Sequence, residues 1–260
     1  MKTVIFGGGL PMEIQGTVSI VTGGNGGLGQ RICQALAAAG SNVAVVYAQS
    51  KDQSEEVATK LREAGVEAEA MQCDVSDAAS VEALVTQVLE RFGRIDILVN
   101  DAAYNKWIPF DDLDAMTLEE WHRIIATNLT GPMLTSKAVA PAMKKQGSGR
   151  IINISSVAGL TPTGSSIPYA VSKAGLNHLT RCMAVGLAPE VLVNCIAPGF
   201  LDGTRATANL DPEYQATARV ASLLKRGADK DDIARQVVEF CRTDSVTGQV
   251  LVIDAGRFFH

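Results

Sequence analysis

Tyr169 and Lys173 stand four residues apart in the segment Tyr169-Ala-Val-Ser-Lys173. On a helix, residues at that spacing share a face, so an ammonium group lies beside a phenol. A nearby cation favours the phenolate and draws the tyrosine pKa down from about 10 towards working pH. That makes Tyr169 a usable proton donor or acceptor. A surface Tyr and Lys can share this spacing by chance, so the pair needs companions. Ser155 and Ser156 follow the apolar run Ile151–Ile154, at the carboxyl edge where ligands bind in parallel sheets. A hydroxyl there can donate to a carbonyl, although without the tyrosine a plain strand-end turn explains it better. Asn128 falls inside a helical pattern that does not favour asparagine. Such an interior polar residue either bonds the backbone or holds a water.

The turn Thr22-Gly23-Gly24-Asn25-Gly26-Gly27-Leu28-Gly29 lies between the β-branched run Val18–Val21 and a helix with Leu28, Ile32, Leu36 and Ala39 on one face. A nucleotide diphosphate can rest there on exposed backbone N–H groups at the helix N-terminus. Gly23, Asn25, Gly27 and Leu28 are therefore candidate cofactor contacts. A glycine-rich turn alone is a weak indication; its flanking strand and amphipathic helix strengthen it.

The elements that must position these groups alternate along the chain. Further apolar runs are Val43–Val46, Ala68–Gln72, Ile95–Val99, Ile151–Ile154, Val191–Ala197 and Val250–Asp254. Helical patterns separate them over Ser54–Ala64, Val81–Phe92, Tyr169–Leu187 and Asp231–Cys241, with one long helix opening at the capping box Thr117-Leu-Glu-Glu120 and running towards Lys145. Strands this apolar between helices indicate a parallel sheet covered on both faces. The expectation is an α/β, Rossmann-like, doubly wound, seven-stranded parallel sheet in a single dinucleotide-binding and catalytic domain over residues 12–260. Met12 looks like a natural start, and residues 1–11 read as an N-terminal extension.

Composition removes several alternatives. The net charge of −5 and the absence of a long basic run argue against nucleic-acid binding; the densest basic cluster, Lys144, Lys145 and Arg150, reads as a solvated helix end. Five scattered cysteines without a CxxC pair argue against a zinc site or disulfide framework and suit a reducing, cytoplasmic setting. No apolar stretch approaches the roughly 20 residues of a membrane span. No G-x-S-x-G elbow occurs, and His122, His178 and His260 lack metal-ligand spacing. His178 reads as a helix-packing or pocket-edge residue.

Taken together, Thr22-Gly23-x-x-x-Gly27-x-Gly29, Asn100-Asp-Ala-Ala103, Asn128, Ser156, Tyr169, Lys173, Pro198-Gly199 and the closing Thr247-Gly-Gln … Val252-Ile-Asp-Ala-Gly256 resemble the short-chain dehydrogenase/reductase family from about Met12 onward. The resemblance implies that Tyr169 transfers a proton, Lys173 holds the nicotinamide ribose, Ser156 orients a carbonyl and Asn128 anchors a relay water. It also implies that Asp74 and Val75 flank the adenine, that Asn100 and Ala102 shape the cofactor groove, and that Pro198 and Gly199 border it. Asp101 and Ala103 depart from the family's Asn and Gly. At the end of the second strand, Tyr47-Ala-Gln-Ser50 offers no acid for a ribose 2′-OH and Lys51 follows, which favours NADP(H) over NAD(H). Against this, Gly26 stands where many NADP-binding members carry a basic residue. Tyr104, Trp107, Phe110 and Phe200 suggest a small-molecule ketone or secondary alcohol with an apolar or ring portion, and ordinary loop packing accounts for them equally well. The rival within the family is a 3-oxoacyl-acyl-carrier-protein reductase. The rival outside it is a non-catalytic dinucleotide-binding regulatory protein, which would not need Tyr169 or Lys173. Residues 200–224 resemble the family's substrate lid. A homotetramer or homodimer is implied, with the ending Arg257-Phe-Phe-His260 packed against a neighbouring subunit.

Overall fold

The computed structural model describes residues 12–208 and 210–259; the extension assigned to residues 1–11 lies outside them. Seven parallel strands form one sheet in the order β3-β2-β1-β4-β5-β6-β7. They are β1 (Val18–Thr22), β2 (Asn42–Tyr47), β3 (Ala68–Gln72), β4 (Ile97–Asn100), β5 (Gly149–Ile154), β6 (Val191–Pro198) and β7 (Val250–Ile253). The major helices between them are α1 (Gly29–Ala38), α2 (Lys51–Glu63), α3 (Ala78–Phe92), α4 (Leu118–Ile125), α5 (Gly131–Gln146) and α6 (Ile167–Leu187). Short α7 (Arg205–Ala208) and α8 (Pro212–Val220) follow β6, and α9 (Lys230–Arg242) precedes β7.

Side chains on a strand alternate between faces, and the core divides accordingly. Val43 and Val45 pack in a cluster with Ile32, Leu36, Leu61 and Val237, on the face covered by α1, α2 and α9. Ala44 and Val46 pack with Leu84, Val88, Val139 and Met143, on the face of α3 and α5. The central strands β1, β4, β5 and β6 are buried on both faces, so they read as near-continuous apolar runs.

The strand order reverses at β1, which pairs with β2 on one side and β4 on the other, Thr22 lying opposite Asn100. At this switch point the Thr22 hydroxyl accepts from the backbone N–H groups of Asp101 and Ala102, both at 3.1 Å. Beside it the buried Asn100 amide donates to Asn153 at 2.9 Å and its oxygen accepts from Thr135 at 2.7 Å, while Asn153 donates to Thr180 at 2.9 Å. Buried polar groups are tolerated when bonded in this way. The network ties β4, β5, α5 and α6 together under the site.

Two features differ from the sequence expectation. The helix capped by Thr117, whose hydroxyl accepts from Glu120 N–H at 3.3 Å, does not run unbroken to Lys145. It widens into a π turn over Ala126–Thr130 before α5. Pro132 has no N–H to give the Asn128 carbonyl four residues back, which breaks the regular ladder there. Arg150 is not part of a solvated cluster: it is buried, donates to Cys241 O at 3.0 Å, and pairs with Asp244. Its charge at the start of β5 is compensated by Asp244, so Lys144 and Lys145 stand alone.

Replacing Thr22 with the near-isosteric Val leaves two N–H groups of the β4 edge without their acceptor. Stability is expected to fall by about 1–3 kcal/mol in urea denaturation with an unchanged slope.

Candidate active site

A cavity of about 730 Å³ opens at the carboxyl edge of the sheet and runs from the β1–α1 turn to the start of α6. At one end lie Gly23, Asn25, Gly27 and Leu28. Gly23 has φ +67, and a methyl there would stand 3.0 Å from Ala102 Cα. A methyl on Gly29 would stand 2.2 Å from the Gly23 carbonyl oxygen, and one on Gly27 3.0 Å from Gly203 O. At Gly23, Gly27 and Gly29 the turn is therefore tightly packed against backbone, closed above by the segment before α7, and it presents the first turn of α1, where helix N–H groups lack intrahelical partners. This geometry fits a dinucleotide diphosphate.

Of the cofactor positions expected from sequence, Tyr47, Ser50, Asp74, Val75, Ala102, Pro198 and Gly199 also line the cavity, as do Tyr169 and Lys173. Asn100 does not; its side chain is committed to the buried network beneath. Lys51 is also absent from the lining, whose β2 end is made of Tyr47, Ala48, Gln49 and Ser50. Thr204 also lines the cavity.

The candidate catalytic residues converge from three elements. Ser156 follows β5, and its Oγ accepts from Ala158 N–H at 3.2 Å, which caps a single 3₁₀ turn. Tyr169 and Lys173 sit in the first two turns of α6, whose start is fixed by Ser166 and Pro168. Lys173 Nζ donates to Ile154 O at 2.9 Å and stands 5.8 Å from the centre of the Tyr169 ring. Asn128, fully buried in the π turn, bonds the Tyr104 backbone in both directions, at 2.8 and 2.9 Å, and donates to Ser172 at 3.1 Å. It holds backbone, and thereby fixes the β4–α4 loop against α6.

The electrostatics overturn one expectation. Burial pushes the Tyr169 phenol up to about 12, opposed mainly by a hydrogen bond with Ser156. Burial also pulls the Lys173 ammonium down to about 8, with Asp101 opposing. Lys173 gives one of its N–H groups to the Ile154 carbonyl and is itself poorly solvated, and the influence that lowers the phenol most is Ser156 rather than the lysine to which the helix spacing pointed.

At the substrate end, Tyr104 and Phe200 line the cavity, whereas Trp107 and Phe110 do not. Phe110 is exposed. Trp107 packs against Tyr214 of α8, ring centres 5.3 Å apart, and it is Tyr214 that faces the cavity. His178 is exposed on α6 and has no part in it. The segment likened to a substrate lid contains α7 and α8, the latter capped by Asp211 through Glu213 and Tyr214 N–H. Arg123, Arg205, Tyr214 and Arg257 are lining residues that the sequence reading did not name. Arg257 lines the cavity of its own chain, which the expected packing on a neighbour did not foresee.

Among the described residues, Asp101 is the one carboxylate that lines the catalytic half of the cavity. Burial pushes it up to about 7 against the pull of Lys173. Its folded value exceeds its unfolded one, so its contribution is favourable below about pH 4 and is lost as pH rises through 7. Asp101→Asn is therefore expected to be more stable than the parent at pH 8, by roughly 2–4 kcal/mol, with the two converging by pH 4. Urea titrations across that range check this; a difference independent of pH would contradict it.

Comparison with known proteins agrees with this architecture. A family model described as short chain dehydrogenase matches residues 17–215. A ketoacyl reductase of the granaticin polyketide synthase from Streptomyces violaceoruber is 39% identical over 241 residues, covering 92% of this chain and 95% of that protein. A 3-oxoacyl-[acyl-carrier-protein] reductase from Synechocystis sp. is 39% identical over 245 residues, covering 92% and 96%. The crystal structure of an NADPH-dependent 3-quinuclidinone reductase from Rhodotorula rubra superposes with a TM-score of 0.85 at 29% identity, covering 94% and 92%. The chain belongs to the short-chain dehydrogenase/reductase family, NAD(P)-linked oxidoreductases acting on CH–OH and keto groups.

Proposed function

We propose that the protein reduces the keto group of a small molecule to a secondary alcohol with NADPH, and that Tyr169 is the proton donor. The observation that carries the reading is the single cavity joining the glycine cradle to Ser156, Tyr169 and Lys173. When bound, the nicotinamide supplies the hydride. Ser156 orients the carbonyl oxygen, and Tyr169 gives its proton to that oxygen as negative charge develops. A phenol near 12 stays protonated at neutral pH yet is far more acidic than an alcohol, so it suits the reductive direction. Lys173 holds a ribose hydroxyl, and Asn128 keeps the Tyr104 backbone and α6 in register. Gly23, Asn25, Gly27 and Leu28 hold the diphosphate, Asp74 and Val75 border the adenine, and Ala102, Pro198 and Gly199 shape the nicotinamide end. Asn100 supports that groove from below.

Preference for NADP(H) rests on the β2 end, where Tyr47, Ala48, Gln49 and Ser50 line the cavity without a carboxylate. An acid there would accept from a free 2′-OH and repel a 2′-phosphate. Reduction of a carrier-bound 3-oxoacyl group is the second reading, favoured by what the curated relatives are named as acting on. The exposed Leu251 of β7 and Phe259 of the tail support assembly of several copies, and light scattering that showed a monomer would remove that element.

Tyr169→Phe is expected to lower turnover at least about 10³-fold while NADPH affinity, read by fluorescence titration, changes less than about threefold; surviving turnover would overturn the proton assignment. Measured side by side, kcat/KM with NADPH should exceed that with NADH by at least about tenfold, and an NADH preference would reverse the coenzyme assignment.

A further inference from the structure

The tail after β7 is built to bring one cation into the cavity. The buried Asp254 carboxylate accepts from the backbone N–H groups of Gly256, Arg257 and Phe258 at 2.9, 3.1 and 2.7 Å. This turns the chain back over the sheet edge, with Ala255 held at φ +58, a conformation that side chains other than glycine seldom adopt. The lid end is tied to the same turn: Leu223 and Leu224 N–H donate to the carbonyls of Gly256 and Ala255, both at 3.1 Å. Arg257, so placed, lines the cavity, and no carboxylate among the described residues pairs with it.

Its position decides whose charge it meets. The diphosphate cradle lies at β1, beside β4, whereas Arg257 follows β7, three strands further along. At about 4.8 Å per strand, that is roughly 14 Å beyond β4. A cofactor phosphate on the β1–α1 turn belongs to the opposite half of the cavity, on the side where Arg205 also borders a second depression with Asn25 and Gly27. The half-buried Arg257 guanidinium lies over the Phe258 ring, 5.0 Å from its centre, which leaves its N–H edge free for a carboxylate or phosphate, with which a guanidinium forms charge-assisted, bidentate hydrogen bonds.

We propose that Arg257 is a specificity residue that binds an anionic group, carboxylate or phosphate, on the keto substrate, presented by the Asp254 turn on the side of the cavity away from the cofactor diphosphate. The proposal rests on the keto-reductase reading above and adds the substrate's charge to it. One phosphate-bearing source would be a phosphopantetheine thioester; a free keto acid is the other.

The test compares charged and neutral probes on the intact protein with NADPH. Acetoacetate is paired with methyl acetoacetate, and the acetoacetyl thioester of phosphopantetheine with that of N-acetylcysteamine. The parent protein should favour the charged member of at least one pair. Arg257→Gln should raise KM for that member by about tenfold or more, leave its kcat and both constants of the neutral member within about twofold, and Arg257→Lys should restore part of the loss. The pair that responds identifies the carboxylate or the phosphate. A charged-to-neutral ratio of KM that is the same in parent and Arg257→Gln overturns the proposal, even if neutral ketones are reduced in a Tyr169-dependent manner. Failure of every ketone to react, neutral or charged, overturns the keto-reductase reading itself.

Discussion

The Thr22 hydroxyl is the small contact on which the site's geometry depends. It lies at the last residue of β1, where strand order reverses, and accepts two backbone N–H groups from the end of β4. Those N–H groups sit past the last ladder pair of β1 and β4, Thr22 with Asn100, and the Thr22 hydroxyl stands where the next strand carbonyl would. One short side chain therefore fixes how far the β4 edge stands from the glycine turn. Gly23 responds in kind: only a residue without Cβ fits 3.0 Å from Ala102. Crevice width, and hence the room for a diphosphate, follows from that pair.

Behind this edge, polar groups are buried in order to hold backbone rather than to react. Asn100, Asn153, Thr135 and Thr180 form one chain of hydrogen bonds, and Asn128 braces the Tyr104 backbone from the π turn. Low local polarity has a cost at the titratable residues placed above them. Phenol, ammonium and carboxyl of Tyr169, Lys173 and Asp101 are all shifted towards their uncharged forms. Desolvation is the largest influence on each of the three and outweighs the attraction between Lys173 and Asp101. A neutral, protonated Tyr169 is what proton donation to a carbonyl oxygen needs.

Much of this was readable from the chain. The seven strands appear as apolar runs because both sheet faces are covered, and the Tyr169–Lys173 spacing did place both groups in one cavity. Helix periodicity could not see the break at Asn128, since its cause is a single missing N–H at Pro132 in an otherwise regular pattern. Spacing along one helix could not reveal that Lys173 would turn to Ile154, a residue brought near only by the fold. Trp107 reads as a lining aromatic, yet the ring facing the cavity is Tyr214, which α8 delivers from more than a hundred residues away in sequence. Arg257 was hidden for the same reason: its role depends on the Asp254 turn and on the lid that shares it.

The most direct measurement is the origin of the new hydrogen on the product carbon. The protein would be given a ketone and NADPH carrying deuterium at the transferring position of the nicotinamide, in ordinary water, and the alcohol analysed by NMR and mass spectrometry. The expected product carries one deuterium on the carbinol carbon and a solvent-derived proton on oxygen. A carbinol hydrogen drawn from water, with the label left on the coenzyme, would contradict the assignment of this cavity to hydride transfer.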